Sequence, residues 1–377
     1  MTEWLDWPFF EPAHRALAEQ TDQWGRAQAC AHEPDVDSAC RSLVAGLGKA
    51  GFLELTVARD GRAPDVRSLA VARATLAYHD GLADFAFAMQ GLGSGAISLF
   101  GSDAQKGEWL GKVASGDVIA AYALTEPDTG SDAANIGMTA EHDGGEWRLS
   151  GEKSYISNGT IADVLTVFAR TGEGGAGGIS AFIVRGDDPG LKVAERIEVI
   201  APHPLARLRF DKVRAQPLGA AEEGFRIAME TLNLFRVTVG AAALGFARRA
   251  LDEALAFART RRFGASTLAD NAVTQDRLGE MATLIDASAL LIARAAWQQD
   301  SGGGDNRRAA AMAKLHATEA AQKVIDMAVQ MHGGLGVTVG AKVEQLYREI
   351  RALRIYEGAS EVQRQIIARS ILKEASQ

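Results

Sequence analysis

Apolar residues recur at intervals of three and four from Val36 to about Phe100, the spacing of one buried helix face. Ser102 precedes a further amphipathic stretch, so we expect this serine to be the N-cap of another helix. The helical period returns after Gly224. It predicts three long helices, over residues 225–260, 273–299 and 307–330.

Between these helical parts, the chain from about residue 119 to 210 is made of short β-rich segments. They are IAAYALT, EWRLSG, VLTVFAR, ISAFIV and LRF, separated by the turn clusters DGG, GEGGAGG and DDPG. We therefore predict an α+β protein with three domains. These are an N-terminal helical domain (residues 1–117), a middle β-barrel-like domain (118–218) and a C-terminal helical bundle (219–377). A β-domain inserted between helical parts creates a cleft, the usual kind of ligand site.

The composition is that of an ordinary globular protein, with 47% hydrophobic and 23% charged residues among 377. A net charge of −8 argues against a nucleic acid or an anionic membrane as partner, because both usually require a basic surface. The longest apolar run, which follows Arg236, is well below the ~20 residues needed to span a bilayer. No membrane span is expected.

Cysteine usage and the N-terminus both favour a cytoplasmic protein. Cys30 and Cys40 are the only cysteines, so no disulfide framework and no thiolate metal cluster are expected. Glu3, Asp6 and Glu11 interrupt the N-terminal apolar stretch, which lacks the basic leader and apolar core of a signal peptide.

One glycine-rich motif, Gly91-Leu-Gly93-Ser-Gly-Ala96, fits the pattern of a dinucleotide-binding fingerprint. That fingerprint requires a preceding strand and a following helix, whereas both flanks here have helical periodicity. Close packing of helices through small residues is the better explanation of these glycines.

Two polar segments are stronger candidates for a ligand site. The first, from Tyr122 to Asp132, runs from a strand into a turn rich in hydroxyl groups and glycine, which can hold a ring edge and phosphates. The second, from Gly151 to Gly159, places Tyr155 beside Ser157, where the phenol ring could lie against a flat ligand ring. A capped loop and a core aromatic residue are the alternative interpretations.

A third candidate segment runs from Arg354 to Arg364. Ser360 and Gln363 have the spacing of a capping box, which predicts a helix start at Ser360. Glu357 would then lie on the preceding loop, where Gly358 allows close backbone approach to a ligand. Glu357 is a candidate general base, or alternatively an acid that complements the helix dipole.

Together these segments resemble the acyl-CoA dehydrogenase family over nearly the whole chain. The matching motifs are AYALTEPDTGSDAA, GEKSYISNG, QMHGGLGV and RIYEGASEVQRQIIAR, in the order and approximate spacing of the family. The resemblance implies an N-terminal helical domain, a middle β-domain and a C-terminal four-helix bundle. It also implies FAD as the cofactor, no metal, and a homo-oligomer, commonly a dimer of dimers, in which a neighbouring subunit completes the cofactor site.

The resemblance assigns roles to individual residues. Those implied to line the flavin and its phosphates are Tyr122, Leu124, Thr125, Gly130, Ser131, Tyr155, Ile156 and Ser157. Those implied to reach the pyrophosphate and adenosine are Arg261, Phe263, Gln330, Gly333 and Gly334 from the partner chain, with Ala359 and Glu361 near the adenosine. Those implied to bind substrate are Ser131, Arg236, Glu357 and Gly358. In RTRRFG, the choice of Arg261 over Arg259 or Arg262 stays open, and Ala272 and Ala359 replace the usual Gln and Thr.

The family's chemistry implies α,β-dehydrogenation of an acyl-CoA thioester to the trans-2-enoyl-CoA. Glu357 would remove the α-proton, its backbone N–H and a flavin ribityl hydroxyl would hold the thioester oxygen, and the hydride would pass to flavin N5. The electrons would go to an electron-transfer flavoprotein. An acyl-CoA oxidase or a desulfinase-type lyase shares this scaffold, and a non-catalytic acyl-CoA- or flavin-binding protein is the alternative from another class.

The acyl group is less clearly indicated. Phe85 and Phe87 lie in the segment that floors the acyl pocket in relatives, so inward-pointing rings would favour a short, branched or cyclic acyl group. Alternatively, both rings belong to the core.

Overall fold

Two groups of helices flank a run of strands, which confirms the α+β class. The computed structural model describes residues 3–28, 35–59, 61–302 and 304–375, so Cys30 lies outside the described residues. The helices before the sheet are α1 (Pro12–Gln28), α2 (Val36–Lys49), α3 (Val66–His79), α4 (Gly81–Phe100) and α5 (Asp103–Ser115). Those after it are α6 (Gly224–Thr260), α7 (Ala272–Asp300), α8 (Arg307–His332), α9 (Lys342–Leu353) and α10 (Ser360–Glu374).

The strands form a closed ring. They are β1 (Ala120–Ala123), β2 (Thr139–Asp143), β3 (Glu146–Ser157), β4 (Val164–Arg170), β5 (Ile179–Arg185), β6 (Leu191–Arg196) and β7 (Leu205–Leu218). Pairing runs β4-β2-β3-β7-β5 and returns to β4, with β1 added parallel to β4 and β6 added to β7. The strands therefore close into a barrel-like sheet. A short hairpin follows α6. Its strands, β8 (Arg262–Phe263) and β9 (Ser266–Thr267), have two residues each.

The chain divides into two compact units. The helical unit contains Met1–Cys30, Asp65–Asp84 and Arg236–Gln377, and the sheet unit contains Ala31–Pro64 and Phe85–Phe235. In the helical unit, α8 packs against α7, α9 and α10. In the sheet unit, the barrel interior is apolar and includes Leu149, Val167, Phe182 and Leu208.

The glycines of the fingerprint-like motif allow close packing, as the sequence favoured. Gly91, Gly93 and Gly95 lie inside α4. A Cβ added at Gly91 or Gly95 would lie 2.7 or 2.6 Å from the ring of Phe235, and one at Gly93 would lie 2.6 Å from the backbone of Ala120. No strand precedes this helix among the described residues, so the dinucleotide-fingerprint reading is wrong.

By length and composition alone, α6 could cross a membrane, but 83% of its most apolar window is buried within the protein.

Ser102 is the N-cap of α5 and completes a capping box with Gln105, as predicted for that serine.

Candidate active site

In the sheet unit, the end of β1 lies beside the middle of β3. The backbone N–H of Ser154 donates to the carbonyl of Thr125 at 2.9 Å, and the Lys153 ammonium donates to the carbonyl of Leu124 at 2.9 Å. These two bonds bring the first predicted flavin segment next to the second. Tyr122, Thr125, Tyr155 and Ser157 therefore belong to one region of the sheet unit.

A buried ion pair holds the loop that follows β1. Lys153 is fully buried, and its Nζ lies 2.8 Å from Oε1 of Glu126. The Glu126 carboxylate also accepts the backbone N–H groups of Gly137 and Met138, at 2.6 and 3.0 Å. Burial lowers the pKa of Lys153 to about 8, against the opposing effect of Glu126. The intervening loop, which contains Gly130 and Ser131, is thus closed at its base and exposed at its tip.

A β-bulge presents Tyr155 to solvent. Lys153 pairs with Leu208 but Ile156 pairs with Ala206, so β3 carries one extra residue at this point. Tyr155 adopts a left-handed conformation, with φ of 55°, and its side chain is 63% exposed. Bulges commonly redirect a side chain next to an active site. The core-aromatic alternative for Tyr155 is therefore wrong.

Other predicted flavin residues point into the protein. Leu124 and Ile156 are buried, so a ligand could meet them only through their backbone. The Tyr122 hydroxyl donates to the carbonyl of Ala228 at 3.2 Å, and its ring centroid lies 5.1 Å from that of Phe168.

In the helical unit, Glu357 lies on a tight turn between α9 and α10. Glu357 and Gly358 are both left-handed, with φ of 51° and 86°. The Lys314 ammonium donates to the carbonyl of Gly358 at 2.8 Å. The Gln363 amide donates to the carbonyls of Glu357 and Gly358, at 3.3 and 2.7 Å. A turn that L-amino acids avoid is therefore held by two buried side chains.

The capping box predicted at the start of α10 is wrong, although the helix does begin at Ser360. Its N-cap is Ala359, which has no side chain that could cap. The Ser360 hydroxyl donates to Glu319 instead, at 2.5 Å, and Gln363 binds the carbonyls of the Glu357 turn. Both side chains thus have partners outside the helix terminus. Ala359 and Glu361 lie at this terminus, and Glu361 is exposed.

Several charges surround the Glu357 carboxylate. Burial raises the pKa of Glu357, whereas the cations Arg73, Lys314 and Arg236 lower it. Oε2 of Glu357 is buried and has no hydrogen-bond partner among the described residues. Arg236, predicted to bind substrate, is itself buried, and burial lowers its pKa against the opposing effect of Glu357.

The predicted pyrophosphate residues converge at the ends of α6 and α8. The rings of Phe257 and His332 stack with centroids 4.3 Å apart, which joins the two helix ends. The residues there are Arg261, Phe263, Gln330, Gly333 and Gly334, all exposed. They form a second group within the helical unit, and their roles stay predictions.

Sequence reasoning missed Arg73, Asp84, Lys314 and the Lys153–Glu126 pair. The sequence does contain a signal for Arg73, Asp84 and Lys314, because each is a lone charge in an otherwise apolar helical stretch. The stretches are SLAVARATLA, GLADFAFAM and AAAMAKLHA. A charge at such a position is buried and needs a partner.

The predicted cofactor residues of each unit, considered separately, have features that suit a flavin dinucleotide. Tyr155 offers an exposed ring, and the hydroxyl of Thr129 is buried without a hydrogen-bond partner among the described residues. At Gly130, Gly333 and Gly334, an added Cβ would meet no atom within 4 Å, so a phosphate could approach the backbone closely. No group of three His, Cys, Asp or Glu residues that could hold a metal occurs in the described part of the chain.

Comparison with known proteins agrees with this assignment. Acyl-CoA dehydrogenase domain profiles match at residues 11–117 (N-terminal domain), 121–213 (middle domain) and 222–372 (C-terminal domain). The chain is 34% identical to the probable acyl-CoA dehydrogenase fadE25 of Mycobacterium leprae, over 95% of this chain and 93% of that protein. It is 39% identical to cyclohexane-1-carbonyl-CoA dehydrogenase of Geobacter metallireducens, over 68% of this chain and 69% of the relative.

Solved structures have the same fold. A chain of the electron transferring flavoprotein structure from Acidaminococcus fermentans superposes with a TM-score of 0.89 at 31% identity, covering 96% of this chain and 98% of that one. A glutaryl-CoA dehydrogenase from Mycobacterium smegmatis in complex with FADH2 gives 0.86 at 28% identity, covering 96% and 95%. Fold and site together define a flavin-dependent oxidoreductase. The chain belongs to the acyl-CoA dehydrogenase family, whose cofactor is FAD.

Proposed function

We propose that this enzyme converts an acyl-CoA thioester to the trans-2-enoyl-CoA, with Glu357 as the base that removes the α-proton. The observation that carries the proposal is the carboxylate itself. Oε2 of Glu357 is buried without a hydrogen-bond partner among the described residues, on a left-handed turn fixed by Lys314 and Gln363. Buried polar atoms are normally satisfied, so an unsatisfied carboxylate oxygen is expected at a reactive site.

The surrounding charges support this role. The α-proton of a thioester is weakly acidic, so the base must be ionised when substrate arrives and strongly basic once water has been excluded. Arg73, Arg236 and Lys314 favour the ionised carboxylate, and burial makes it more basic. Bound FAD supplies the acceptor for the hydride that leaves the β-carbon. The backbone N–H of Glu357 would donate to the thioester oxygen as negative charge develops there.

Replacement of Glu357 by Gln tests the proposal. The variant should retain FAD and its yellow colour, but substrate should no longer bleach the flavin, because an amide cannot accept the proton. Glu344→Gln, the same substitution on α9 at a carboxylate paired with Arg348, should bleach normally. Near-normal bleaching by Glu357→Gln would refute the assignment.

The same assay distinguishes electron acceptors. We propose an electron-transfer flavoprotein as the physiological acceptor, supported by the family and by the superposition on the Acidaminococcus structure. Substrate-reduced enzyme should be reoxidised by such a protein much faster than by dissolved oxygen. Rapid reoxidation in air alone would identify an oxidase instead.

A short, branched or cyclic acyl group is our proposal for the substrate. Phe87 is fully buried, so only Phe85 is left to shorten a pocket. Phe85 is partly exposed, and its ring lies 4.5 Å from that of His203. The relative named for cyclohexane-1-carbonyl-CoA supports a cyclic group. Bleaching should be faster with cyclohexane-1-carbonyl-CoA or butyryl-CoA than with palmitoyl-CoA, and the reverse order would exclude a short pocket.

A further inference from the structure

The turn that carries Glu357 is closed at its base. Arg354 is the C-cap of α9, and Ser360 is the first residue of α10. The backbone N–H of Ser360 donates to the carbonyl of Arg354 at 3.1 Å. Residues 355–359, which lie between them, therefore form a loop with joined ends, the Glu357 loop, and Glu357 is its middle residue. A shift of one end relative to the other would move Glu357 as well.

A carboxylate on α8 binds both ends of the Glu357 loop. The Ser360 hydroxyl donates to Oε1 of Glu319 at 2.5 Å, and Nη2 of Arg354 lies 2.7 Å from Oε2. Among the described residues, no other side chain binds the Ser360 hydroxyl or the Arg354 guanidinium. Burial opposes the ionisation of Glu319, but the bonds from Ser360 and Arg354 outweigh it and lower the pKa of this carboxyl. Glu319 is thus a charged acceptor with one oxygen at each end of the loop.

Helix α8 restrains the Glu357 loop at two levels. Lys314 binds the carbonyl of Gly358 inside the loop, and Glu319 binds the side chains at its two ends. Glu357 has a left-handed backbone, a conformation that persists where the surrounding structure imposes it. Loss of the Glu319 contacts would leave the restraint inside the loop and free its ends.

Stability does not explain the ion pair between Glu319 and Arg354. The two side chains are 31% and 30% exposed, and they lie on the wall of a groove of about 580 Å³ between α7, α8 and α9. Water-accessible ion pairs contribute little to the free energy of unfolding, because the solvent screens the charges and two long side chains must be ordered. A role in the geometry of the loop is the better explanation.

We propose that Glu319 is a positioning residue for the base Glu357. By binding Arg354 before the loop and Ser360 after it, Glu319 fixes the distance between the loop ends. It thereby holds the carboxylate and the backbone N–H of Glu357 in the orientation that proton abstraction needs. This inference rests on the proposed function of Glu357 and adds to it a residue that acts only through the two loop ends.

The experiment is single-turnover reduction of the flavin in the FAD-loaded enzyme, with the rate expressed per bound flavin and measured against acyl-CoA concentration. The probe is whichever of butyryl-CoA, cyclohexane-1-carbonyl-CoA and palmitoyl-CoA bleaches the wild-type flavin fastest. Glu319→Ala should lower the rate at saturating acyl-CoA by about tenfold or more, because a misplaced base reacts slowly even with substrate bound. The half-saturating concentration should change by less than about threefold, because no contact with substrate is lost.

Two further variants separate the contacts of Glu319. In Glu319→Gln, the amide oxygen can still accept from the Ser360 hydroxyl, but the amide nitrogen cannot accept from Arg354, so the loss of rate should be smaller than with alanine. Arg354→Met frees the same end of the loop from the other side, and it keeps the test decisive if Glu319→Ala fails to fold. The double variant Glu319→Ala with Arg354→Met should be no slower than Glu319→Ala alone, since both substitutions remove one arrangement.

Glu280→Ala is the matched control. Glu280 on α7 lies 2.5 Å from Nζ of Lys323 on α8, and both side chains of this pair are exposed. The substitution removes another exposed carboxylate that binds α8. It should lower thermal stability about as little as Glu319→Ala does, and it should leave the saturating rate unchanged.

A smaller loss of the saturating rate in Glu319→Ala would overturn the inference. An equal loss in Glu280→Ala would also overturn it, as would a loss confined to FAD content or to the half-saturating concentration. Failure of the proposed function gives a different outcome, namely a wild-type flavin that no acyl-CoA reduces, or a Glu357→Gln variant whose flavin is still reduced.

Discussion

The backbone of the catalytic turn takes a conformation that only glycine adopts readily. Gly358 has φ of 86°, and a Cβ added there would lie 2.6 Å from the amide nitrogen of Gln363. Glu357, which has a side chain, is also left-handed. Strain of this kind persists where the surrounding structure imposes it, and it is common at active sites. Here Lys314 and Gln363 supply the restraint.

Gly358→Ala should therefore destabilise the protein by about 1–2 kcal/mol, the cost of a left-handed L-residue, with a further loss from displacing Gln363. Flavin bleaching by substrate should fall as the turn moves. Gly279→Ala is the control, because Gly279 lies inside α7 with no atom within 4 Å of an added Cβ. That change should stabilise by about 0.5–1 kcal/mol. Thermal unfolding of both variants checks the direction of each stability change. A Gly358→Ala protein as stable as the wild type would contradict the inference that the backbone is strained at this position.

At the scale of elements, the sequence predicts the longest buried helices and the most buried strands, and it misses two exposed strands. The long helices α6, α7 and α8 were predicted within two residues of their observed ends, because each buries one periodic apolar face. Strands β4 and β5 are buried along nearly their whole length and were also predicted. Strands β2 and β6 were missed: most of their residues are exposed, so no apolar alternation marks them.

Contacts between elements that are distant along the chain limit how much of the candidate site can be predicted from the sequence. Motifs located Glu357, Tyr155 and Thr125, but no local pattern tells that β3 carries a bulge at Tyr155. Nor does a local pattern predict the ion pair between the Arg73 guanidinium and the Asp84 carboxylate, because a helix break separates α3 from α4. The capping-box prediction failed for the same reason, since the partners of Ser360 and Gln363 lie outside the helix terminus.

The ion pair beneath the β1 loop leads to a prediction at this scale. Lys153→Met leaves Glu126 partly buried without its cation. The substitution should therefore lower the free energy of unfolding by about 3–5 kcal/mol and weaken FAD retention as the loop loosens. The double variant with Glu126→Gln should lose less. Arg148→Met removes the exposed Arg148–Glu146 pair from the same strand and should cost about 0–1 kcal/mol. Unfolding and bound-FAD measurements on the three variants test this prediction. Equal losses of stability for Lys153→Met and Arg148→Met would refute the role of the Lys153–Glu126 pair in holding the loop.

At the scale of the whole molecule, large apolar side chains are exposed on the helical unit. Val337 and Val339 are 70% and 86% exposed, and Leu335 and Leu372 are more than half exposed. These valines follow Gly333 and Gly334, which the resemblance assigns to the FAD of a neighbouring subunit. Exposed apolar side chains grouped along one segment, as Leu335, Val337 and Val339 are, commonly mark a protein interface. We therefore propose a homo-oligomer, at least a dimer, in which this segment contacts a partner.

Sedimentation of the FAD-loaded enzyme should give a mass of at least two chains. Replacing Val337 and Val339 together by Asp should lower that mass and release FAD, because charges buried at an interface are costly and the partner's contribution to the cofactor site is lost. Val193→Asp is the control: Val193 is 49% exposed on β6, in the sheet unit, and its replacement should change neither mass nor FAD content. A wild-type chain that sediments as a monomer with FAD fully bound would exclude the shared site. Loss of FAD from the valine variant without a change in mass would instead place the effect of the segment within one chain.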